Sequence, residues 1–369
     1  MELNEWWLRL SLIPNLWPDR LATLAEPLQA IQGLEGLEQL RAAGLTAEQC
    51  QAFLEPPPQR LANAKRWLQH PQHRLLTRGN PEYPERLRHL PDPPLLLFTV
   101  GEISLLQAPQ CALVGSRQAT PYGIHWGEHF SSELASSGLV ITSGLAIGID
   151  AICHQASLEI GGKTIAVLGN GLQTPYPRCH QPLAERILEQ GGLLISEYCP
   201  DTPPKPFHFP RRNRLISGLS LGVLVVEASL RSGSLITARH ALEQGREVFA
   251  LPGDLAHNNS QGCHQLIRQG AWLVTQPMEV LEVLNSSLNW ISLPPPAVSA
   301  AREESILTGD DERLGSRALL MQIGNEATPI DLIKERAGQP LTEVLQQLLD
   351  LELSGRIKAI PGGYVRCKR

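Results

Sequence analysis

The amino-acid sequence predicts an α/β protein built on a doubly wound, mostly parallel sheet of Rossmann type. Short apolar runs alternate with amphipathic segments through the middle of the 369-residue chain. Short helical patterns precede this region, and a stretch rich in Ser, Pro and charge follows it. Repeated strand–helix alternation implies right-handed crossovers and a parallel sheet that helices cover on both faces.

The apolar runs are expected to form seven strands, at residues 111–116, 138–143, 164–169, 193–198, 223–228, 247–252 and 271–276. The amphipathic segments are expected to form helices at residues 121–137, 150–160, 180–190, 234–244 and 261–269. In open α/β sheets, ligands bind along the edge where the strands have their carboxyl ends. The loops that follow the strands are therefore the first place to look for a functional site.

Smaller domains are predicted on both sides of the Rossmann-type domain, which spans residues 71–285. Residues 1–70 contain short helical patterns typical of a SAM or helix-hairpin-helix domain, at 6–13, 18–31, 35–44, 46–54 and 61–68. Residues 286–312 are interpreted as a linker. Residues 313–369 show three helical segments, at 314–324, 328–338 and 340–355, and then two short strands, which is the order of a winged-helix domain.

Composition favours a cytoplasmic protein without a metal site or a membrane span. The seven cysteines are scattered, odd in number and without a CxxC pair, which argues against a zinc ribbon or a disulfide framework. Neither a long apolar run nor a signal-peptide pattern is found. The net charge of −5 does not by itself favour nucleic acid. Locally, however, residues 202–226 contain four cations and no acid, and the tail after Glu352 is basic.

The first candidate site follows the first predicted strand. Residues 115–123 read GSRQATPYG, where Thr120 suits the N-cap and Pro121 the first position of the next helix. Backbone N–H groups and the positive end of a helix dipole suit a phosphate here, and Arg117 adds a forked cation next to Ser116. The alternative is a structural turn whose arginine is only solvated.

The second candidate is the segment 143–150, SGLAIGID, with His154 one helical turn further on. Gly144 and Gly148 let the backbone come close to a ligand or to a neighbouring strand. Asp150 is expected to cap the helix that begins there. An acid–base couple between Asp150 and His154 is the alternative.

The third candidate is the basic and aromatic stretch 205–214, which contains Lys205, Phe207, Phe209, Arg211, Arg212, Asn213 and Arg214. Arg and Lys neutralise phosphates, and an aromatic face stacks on a base without requiring its identity. These are the needs of a single-strand site. The alternative is a surface loop whose phenylalanines reach the core and whose cations are ion-paired elsewhere. Because no acid is near in the sequence, binding is the favoured interpretation.

The fourth candidate is the segment 227–239, EASLRSGSLITAR. A strand ends there, Ser232, Gly233 and Ser234 supply flexible backbone amides, and a helix is expected to begin at a serine N-cap. An anion could bind at this second helix start. The turns at 167–177 and 249–254 also follow strands and could converge with it.

Several longer segments resemble, in order, the signature segments of the DprA/Smf family: GSRQATPYG, SGLAIGIDAICHQASLEIGGKTIAVLGNGL, YPRCHQPL, ISEYCPDTPPKPFHFPRRNRLISGLS, VVEASLRSGSLITARHALEQGREVFALPG and GCHQLIRQGAWLV. This resemblance covers roughly residues 75–285, and both flanking regions are similar to domains found in many members. It implies an extended Rossmann domain that dimerises, binds single-stranded DNA and loads the RecA recombinase during natural transformation. It implies neither a cofactor nor catalysis.

The resemblance also implies which residues form the DNA pocket. Carried over by position, they are Arg117, Gly144, Lys205, Phe209, Arg212, Asn213 and Arg214. The spacing between the lysine and the phenylalanine varies within the family, so Phe207 could take the place of Phe209.

The main alternative function is enzymatic. The same fold resembles the lysine-decarboxylase-like phosphoribohydrolases, which split nucleotide N-glycosidic bonds and carry a PGGxGTxxE segment. Residues 231–238, RSGSLITA, stand at that place and lack the catalytic glutamate. A dinucleotide-dependent oxidoreductase is disfavoured because no GxGxxG opens the first βα turn. The sequence therefore predicts a DNA-binding protein that is not an enzyme.

The third helix of the predicted winged-helix domain is acidic. It contains Glu343, Asp350 and Glu352, and no Lys or Arg before Arg356. Such a helix would repel phosphates in a major groove. We therefore expect the domain to contact protein, or DNA through its wing only.

Overall fold

The fold is that of a computed structural model, which describes residues 3–13, 40–41, 44–287, 328–337, 341–353, 357–360 and 363–366. The chain forms two compact units, Met1–Ser292 and Leu293–Arg369. Three sequence predictions lie wholly or mostly outside the described residues: the helix at 18–31, the helix at 35–44 and the helix at 314–324. The predicted linker at 286–312 also lies outside them, except for its first two residues.

The first unit is organised around a nine-stranded sheet with the order β1-β2-β6-β5-β4-β3-β7-β8-β9. Its strands are β1 His73–Thr77, β2 Leu96–Gly101, β3 Gln110–Val114, β4 Val140–Ser143, β5 Thr164–Leu168, β6 Leu193–Ser196, β7 Gly222–Val225, β8 Glu247–Ala250 and β9 Trp272–Leu273. Strands β3 to β9 pair in parallel, as predicted.

Two further strands at one end of the sheet were not predicted. Strand β2 pairs antiparallel with β6, with Phe98 opposite Ser196, and β1 pairs antiparallel with β2. Antiparallel neighbours need no crossover helix. The alternation of strands and helices that predicted the other seven strands is therefore missing here.

Eleven helices are described in the first unit: α1 Leu3–Ser11, α2 Ala47–Leu54, α3 Pro58–Trp67, α4 Glu85–Arg88, α5 Pro121–Ser136, α6 Ile149–Glu159, α7 Gln181–Glu189, α8 His208–Leu219, α9 Ser234–Glu243, α10 Gln261–Arg268 and α11 Pro277–Ser287. The five crossover helices agree with the sequence prediction. Helix α8 was not predicted, and it begins inside the basic stretch. Pro210 is tolerated in its first turn, where backbone N–H groups have no partner within the helix.

Helices cover both faces of the sheet, and successive strand residues alternate between them. Leu194 packs in one cluster with Leu168, whereas Leu193 and Ile195 pack in the other. The first cluster also contains residues of α6 and α7 and, from the amino-terminal helices, Trp6, Trp7, Phe53 and Ala64. The amino-terminal helices therefore share a core with one face of the sheet.

The second unit contains two helices and a hairpin in its described part. Helix α12 spans Ile330–Ala337 and α13 spans Leu341–Leu353, followed by the antiparallel strands β10 Ile357–Ile360 and β11 Gly363–Arg366. A small core of Ile333, Val344, Leu348, Leu351 and Ile357 joins them. This order agrees with the predicted end of a winged-helix domain.

Candidate nucleic-acid interface

Loops at the carboxyl edge of the sheet converge, as the sequence predicted. The N–H of Ile149, after β4, donates to the Ser116 carbonyl in the loop after β3 (3.1 Å). The Asn213 amide, in α8, donates to the Gly233 carbonyl in the loop after β7 (3.3 Å). Arg212, also in α8, donates to the carbonyls of Gly144 and Val167 in the segments around β4 and β5. Helix α8 thus connects the loops after β4 and β7 with strand β5.

The start of α5 is built as predicted, but its anion site is already filled. Thr120 is the N-cap, and its hydroxyl accepts the Gly123 N–H, with Pro121 at the first helical position. The Glu227 carboxylate accepts both the Thr120 N–H (3.0 Å) and the Thr120 hydroxyl (2.7 Å). A buried side chain of the protein thus supplies a carboxylate at the helix end where the sequence predicted a phosphate.

Arg117 remains exposed beside this helix start. Its loop is held in shape by the Ser116 hydroxyl, which accepts the Gln118 N–H (3.1 Å). Gly148 adopts a positive φ of 88°, and a Cβ on it would lie 2.2 Å from the Ser116 oxygen. The close approach of these two loops thus requires glycine, and it leaves the Arg117 side chain at the surface.

Asp150 does not cap its helix, contrary to the expectation. The N-cap of α6 is Gly148, and the Asp150 carboxylate instead accepts the Gly144 N–H at 3.0 Å. Burial raises the pKa of Asp150, and the nearby charge of Arg212 acts in the opposite direction. Asp150 therefore braces the loop that follows β4.

The acid–base couple between Asp150 and His154 is not formed. His154 is buried, and its Nδ1 lies 2.6 Å from the Thr164 hydroxyl. That hydroxyl donates to the Ile141 carbonyl, so the His154 Nδ1–H is the donor in their hydrogen bond. Burial lowers the pKa of His154 to about 3. This histidine is a neutral core residue.

Arg212 lies inside the protein, although it was predicted as a DNA cation. It is 4% exposed, and Nη1 donates to the Gly144 carbonyl at 2.8 Å. A Cβ on Gly144 would lie 2.6 Å from Nη2 of Arg212. Burial lowers the pKa of Arg212 to about 10, so the guanidinium stays charged at neutral pH. Its position favours a structural role, in which Arg212 holds the loops of the surface together from inside the protein.

Arg214 is also buried, which corrects its prediction as a surface cation. Its guanidinium contacts Glu197 at 2.6 Å and Asp92 at 3.0 Å. Arg211 lies 3.9 Å from the same Glu197 carboxylate. The stretch is free of acids in the sequence, but other segments bring acids to it. The alternative that the cations of this stretch are ion-paired elsewhere therefore holds for Arg214 and Arg211.

Two phenylalanines of this stretch lie beside cations. Phe209 is half-buried, and its ring lies 5.9 Å from the Arg117 guanidinium and 6.0 Å from that of Arg212. A Cβ on Gly169 would lie 2.8 Å from this ring, so glycine is required beneath it. Phe207 is 58% exposed, and the Lys205 Nζ lies 5.8 Å from its ring. Each ring offers a stacking surface next to a positive charge.

Tyr176 belongs to this surface and was missed in the sequence. It is 45% exposed, and its ring centroid lies 5.6 Å from that of Phe209. The turn at 167–177 was recognised as a loop at the same edge of the sheet. Its aromatic residue was the available signal.

The loop after β7 closes the other side of the surface. Helix α9 begins at Ser234 with Gly233 as its N-cap and without a side-chain cap, so the predicted serine N-cap is wrong. The Ser232 hydroxyl lies 2.6 Å from that of Ser234, which is buried. Gly233 is exposed and Ser232 half-buried, so of the three predicted residues of this loop these two can be reached by a ligand.

An ion pair connects the amino-terminal helices to the loop that precedes α8. Arg60 of α3 donates to both carboxylate oxygens of Asp201, at 3.0 and 2.8 Å, and to the Thr202 hydroxyl at 3.3 Å. Lys205 follows shortly after in the chain. The segment that carries Lys205 is therefore fixed at one end.

The described residues contain no group of three or more His, Cys, Asp or Glu side chains that could hold a metal ion. None of the helices in this part of the chain is long and apolar enough to cross a membrane.

Comparison with known proteins identifies the family. The model of the DNA recombination-mediator protein A family matches residues 74–285, which include the whole surface described above. The chain belongs to this family. Residues 1–66 match the SMF/DprA SAM domain, and residues 294–363 match the DprA winged-helix domain.

Relatives extend over nearly the whole chain. Protein Smf of Escherichia coli is 49% identical over 368 residues, which cover 99% of this chain and 96% of that protein. The structure of DprA from Streptococcus pneumoniae matches with a TM-score of 0.68 and 37% identity, over 76% of this chain and 98% of that one.

A second solved structure concerns DNA directly. DprA of Helicobacter pylori, whose structure describes its single-stranded DNA binding mode, matches with a TM-score of 0.52 and 32% identity. The match covers 59% of this chain and 98% of that one.

The different positions of Arg214 and Arg117 predict different effects of the same substitution on folding. Arg214→Ala should lower the free energy of unfolding by about 3–5 kcal/mol, because it leaves the largely buried Glu197 unpaired. Arg117→Ala should change it by less than about 0.5 kcal/mol, because Arg117 is exposed. Urea unfolding measures both. Adding Glu197→Gln to Arg214→Ala should restore part of the loss, and equal stability of the two single variants would contradict this assignment.

Proposed function

We propose that this protein binds single-stranded DNA, without sequence preference, on the carboxyl edge of its sheet. The observation that carries the proposal is the pairing of Phe209 with Arg117 and of Phe207 with Lys205, each ring within about 6 Å of a cation. Charge attracts the phosphates, and the rings stack on bases of any identity. The single-strand binding of the related Helicobacter pylori protein supports the same function.

The proposed site divides its residues into two kinds. Arg117 and Lys205 are the exposed cations that meet phosphates, with Phe207, Phe209 and Tyr176 as stacking surfaces. The remaining predicted site residues shape the surface or line it: Ser116, Gly144, Arg211, Arg212, Asn213, Arg214, Ser232, Gly233 and Ser234. For Arg212 and Arg214 we propose positioning roles because both are buried.

Hydrolysis of a nucleotide is not supported by this surface. Residues 231–238 contain no glutamate where the phosphoribohydrolases carry theirs. Glu227, which ends the preceding strand segment, is committed to two hydrogen bonds with Thr120. Binding without catalysis therefore fits the site better.

Charge and stacking should give different signatures in DNA-binding titrations. Arg117→Ala and Lys205→Ala should each flatten the salt dependence of log K by roughly 0.7, the value for one single-strand phosphate contact. Phe209→Ala or Phe207→Ala should cost on the order of 1–3 kcal/mol at every salt concentration, and the larger loss identifies the main stacking ring. Fluorescence anisotropy with oligo-dT across a salt series measures both effects.

Matched controls accompany that titration. Arg66→Ala, on the exposed side of α3, should leave affinity and slope unchanged, and Phe209→Tyr should retain binding because it keeps a ring. Deleting residues 290–369 should have little effect. A folded Arg117→Ala protein with unaltered affinity and slope, or equal affinity for duplex and single strand, would contradict the proposed site.

We further propose that the protein is a homodimer formed through its Rossmann domain. Its sheet ends in β9, whose Trp272 and Leu273 are each 51% exposed, and Leu242 of α9 and Leu230 are 54% and 52% exposed. Exposed edge strands and exposed large apolar side chains usually need covering. A second copy can cover this surface by two-fold symmetry, which brings the same patch of each copy together.

Disrupting this apolar surface should therefore separate the copies. Light scattering on the full chain should give a dimer at micromolar concentration, and Leu242→Glu should give a monomer. Ile160→Glu replaces an exposed apolar residue at the end of α6 and should leave the dimer intact. A monomeric wild-type protein would contradict the proposal.

We propose that the DNA-bound protein loads RecA recombinase onto single-stranded DNA in recombination and natural transformation. The family description as a recombination mediator supports it. Adding the protein should shorten the lag of RecA ATPase activity on DNA that is already covered by single-strand-binding protein. Arg117→Ala should lose this effect together with DNA affinity. If the wild-type protein binds DNA but leaves the lag unchanged, the proposal of RecA loading is contradicted and the proposal of DNA binding is not.

A further inference from the structure

A polar cavity lies at the amino edge of the sheet, opposite the edge that carries the proposed DNA site. Its volume is about 370 Å³, within the roughly 300–1,000 Å³ range of small-molecule sites. The segments that precede β3 and β8 form its walls together with α4. Its polar lining residues are Glu85, Arg86, His89, Gln107, Gln244 and Arg246. The loops of the proposed DNA site all follow strands, so this cavity is separate from them.

Two half-buried arginines line this cavity, and no carboxylate of the described residues pairs with either of them. Arg86 donates to the Ala108 carbonyl at 3.4 Å, and Arg246 donates to the carbonyls of Gly218 (3.2 Å) and Arg86 (3.4 Å). Among the described residues, neither guanidinium has a carboxylate oxygen within 4 Å. Nε of Arg246 is buried and has no hydrogen-bond partner in that part of the chain.

The acid in the cavity lining, Glu85, is already paired with other side chains. Glu85 lies 3.0 Å from Arg88 and 3.0 Å from His89. Burial lowers the pKa of Arg86, and the charge of Arg246 lowers it further. Two like charges in a partly desolvated cavity are unfavourable, and an anion between them would relieve both the repulsion and the missing hydrogen bond.

Gln244 contributes a hydrogen-bond acceptor to the same cavity. The Gln244 amide nitrogen donates to the Arg214 carbonyl at 3.0 Å, but its Oε1 is buried without a partner among the described residues. A ligand that satisfies the whole cavity therefore carries an anionic group for the arginines and a hydrogen-bond donor for Gln244. Planar guanidinium groups match phosphate oxygens especially well.

We propose that this cavity binds the phosphate of a nucleotide, with a sugar hydroxyl or base N–H of the same nucleotide facing Gln244. The nucleotide can be free or part of a DNA strand, because both present the same chemistry. Either source adds a second nucleotide-binding site, on the edge of the sheet opposite to the proposed single-strand site. This inference does not depend on DNA binding at the carboxyl edge.

The test measures the thermal stability of the full chain in buffers of equal ionic strength. Inorganic phosphate and 5′-dAMP should each raise Tm in a saturable way, because a ligand that binds only the folded state stabilises it. Arg86→Gln and Arg246→Gln should each weaken this binding at least tenfold. Arg66→Gln removes an exposed arginine outside the cavity and should bind like the wild type.

Two comparisons distinguish the sources of the phosphate. Tighter binding of 5′-dAMP than of inorganic phosphate, lost in the Arg86→Gln, Arg246→Gln double variant, supports a free nucleotide. The Arg117→Ala, Lys205→Ala variant is expected to retain some oligo-dT binding if the cavity binds a DNA strand. Loss of this residual binding when Arg246→Gln is added supports a strand as the source of the phosphate. The proposal is overturned if phosphate and 5′-dAMP change the Tm of the wild type and of the Arg86→Gln, Arg246→Gln double variant equally, and if the two proteins bind oligo-dT equally. Oligo-dT binding by the otherwise wild-type protein reports separately on the carboxyl-edge site.

Discussion

The buried charge of Arg212 determines how the carboxyl edge of the sheet is arranged. A guanidinium that is 4% exposed has lost most of its contact with water, so the protein must supply acceptors and opposite charge. The carbonyls of Gly144 and Val167 accept its hydrogen bonds, and Asp150 provides the negative charge. Since Asp150 also accepts the Gly144 N–H, the same group holds the loop that supplies one of these carbonyls. Helix α8 and the segments around β4 and β5 are thereby fixed to one another.

The Phe209 ring of the proposed site lies against this fixed base. Phe209 rests against Gly169 with Arg212 on one side, so the ring is held in place before any ligand arrives. Arg117 and Lys205 are exposed at the surface, where the proposed single-strand site places them. The helix end at Thr120 is neutralised by Glu227, so attraction of an anion depends on these side chains and not on the helix dipole. The proposed interface therefore combines a ring that the protein holds in place with cations exposed at the surface.

The amino-terminal helices contribute to the same surface from outside the Rossmann domain. Trp6, Trp7 and Phe53 pack in one cluster with residues of β2, β5 and β6. Arg60 then reaches Asp201, which lies in the segment between β6 and α8. Because this segment carries Lys205, a change in the amino-terminal helices has a direct physical route to the proposed DNA site.

Local patterns were sufficient for much of the fold and for part of the site. The seven parallel strands and five crossover helices follow from apolar runs and amphipathic spacing, and the helix start at Thr120 and Pro121 follows from capping chemistry. Strands β1 and β2 were missed because antiparallel neighbours leave no alternation with helices. Helix α8 was missed because Pro210 and the charges around it conceal the apolar face formed by Leu215, Ile216 and Leu219.

The sequence by itself determined which residue types gather near the carboxyl edge, since the order of strands and loops places Arg117, Lys205 and the two phenylalanines there. Only the tertiary structure decided which of the cations are available. Arg214 meets Asp92 across 122 residues of the chain, and Thr120 meets Glu227 across 107. Charge pairing depends on distance in space and on exclusion of water, and neither quantity is contained in the spacing of residues along the chain.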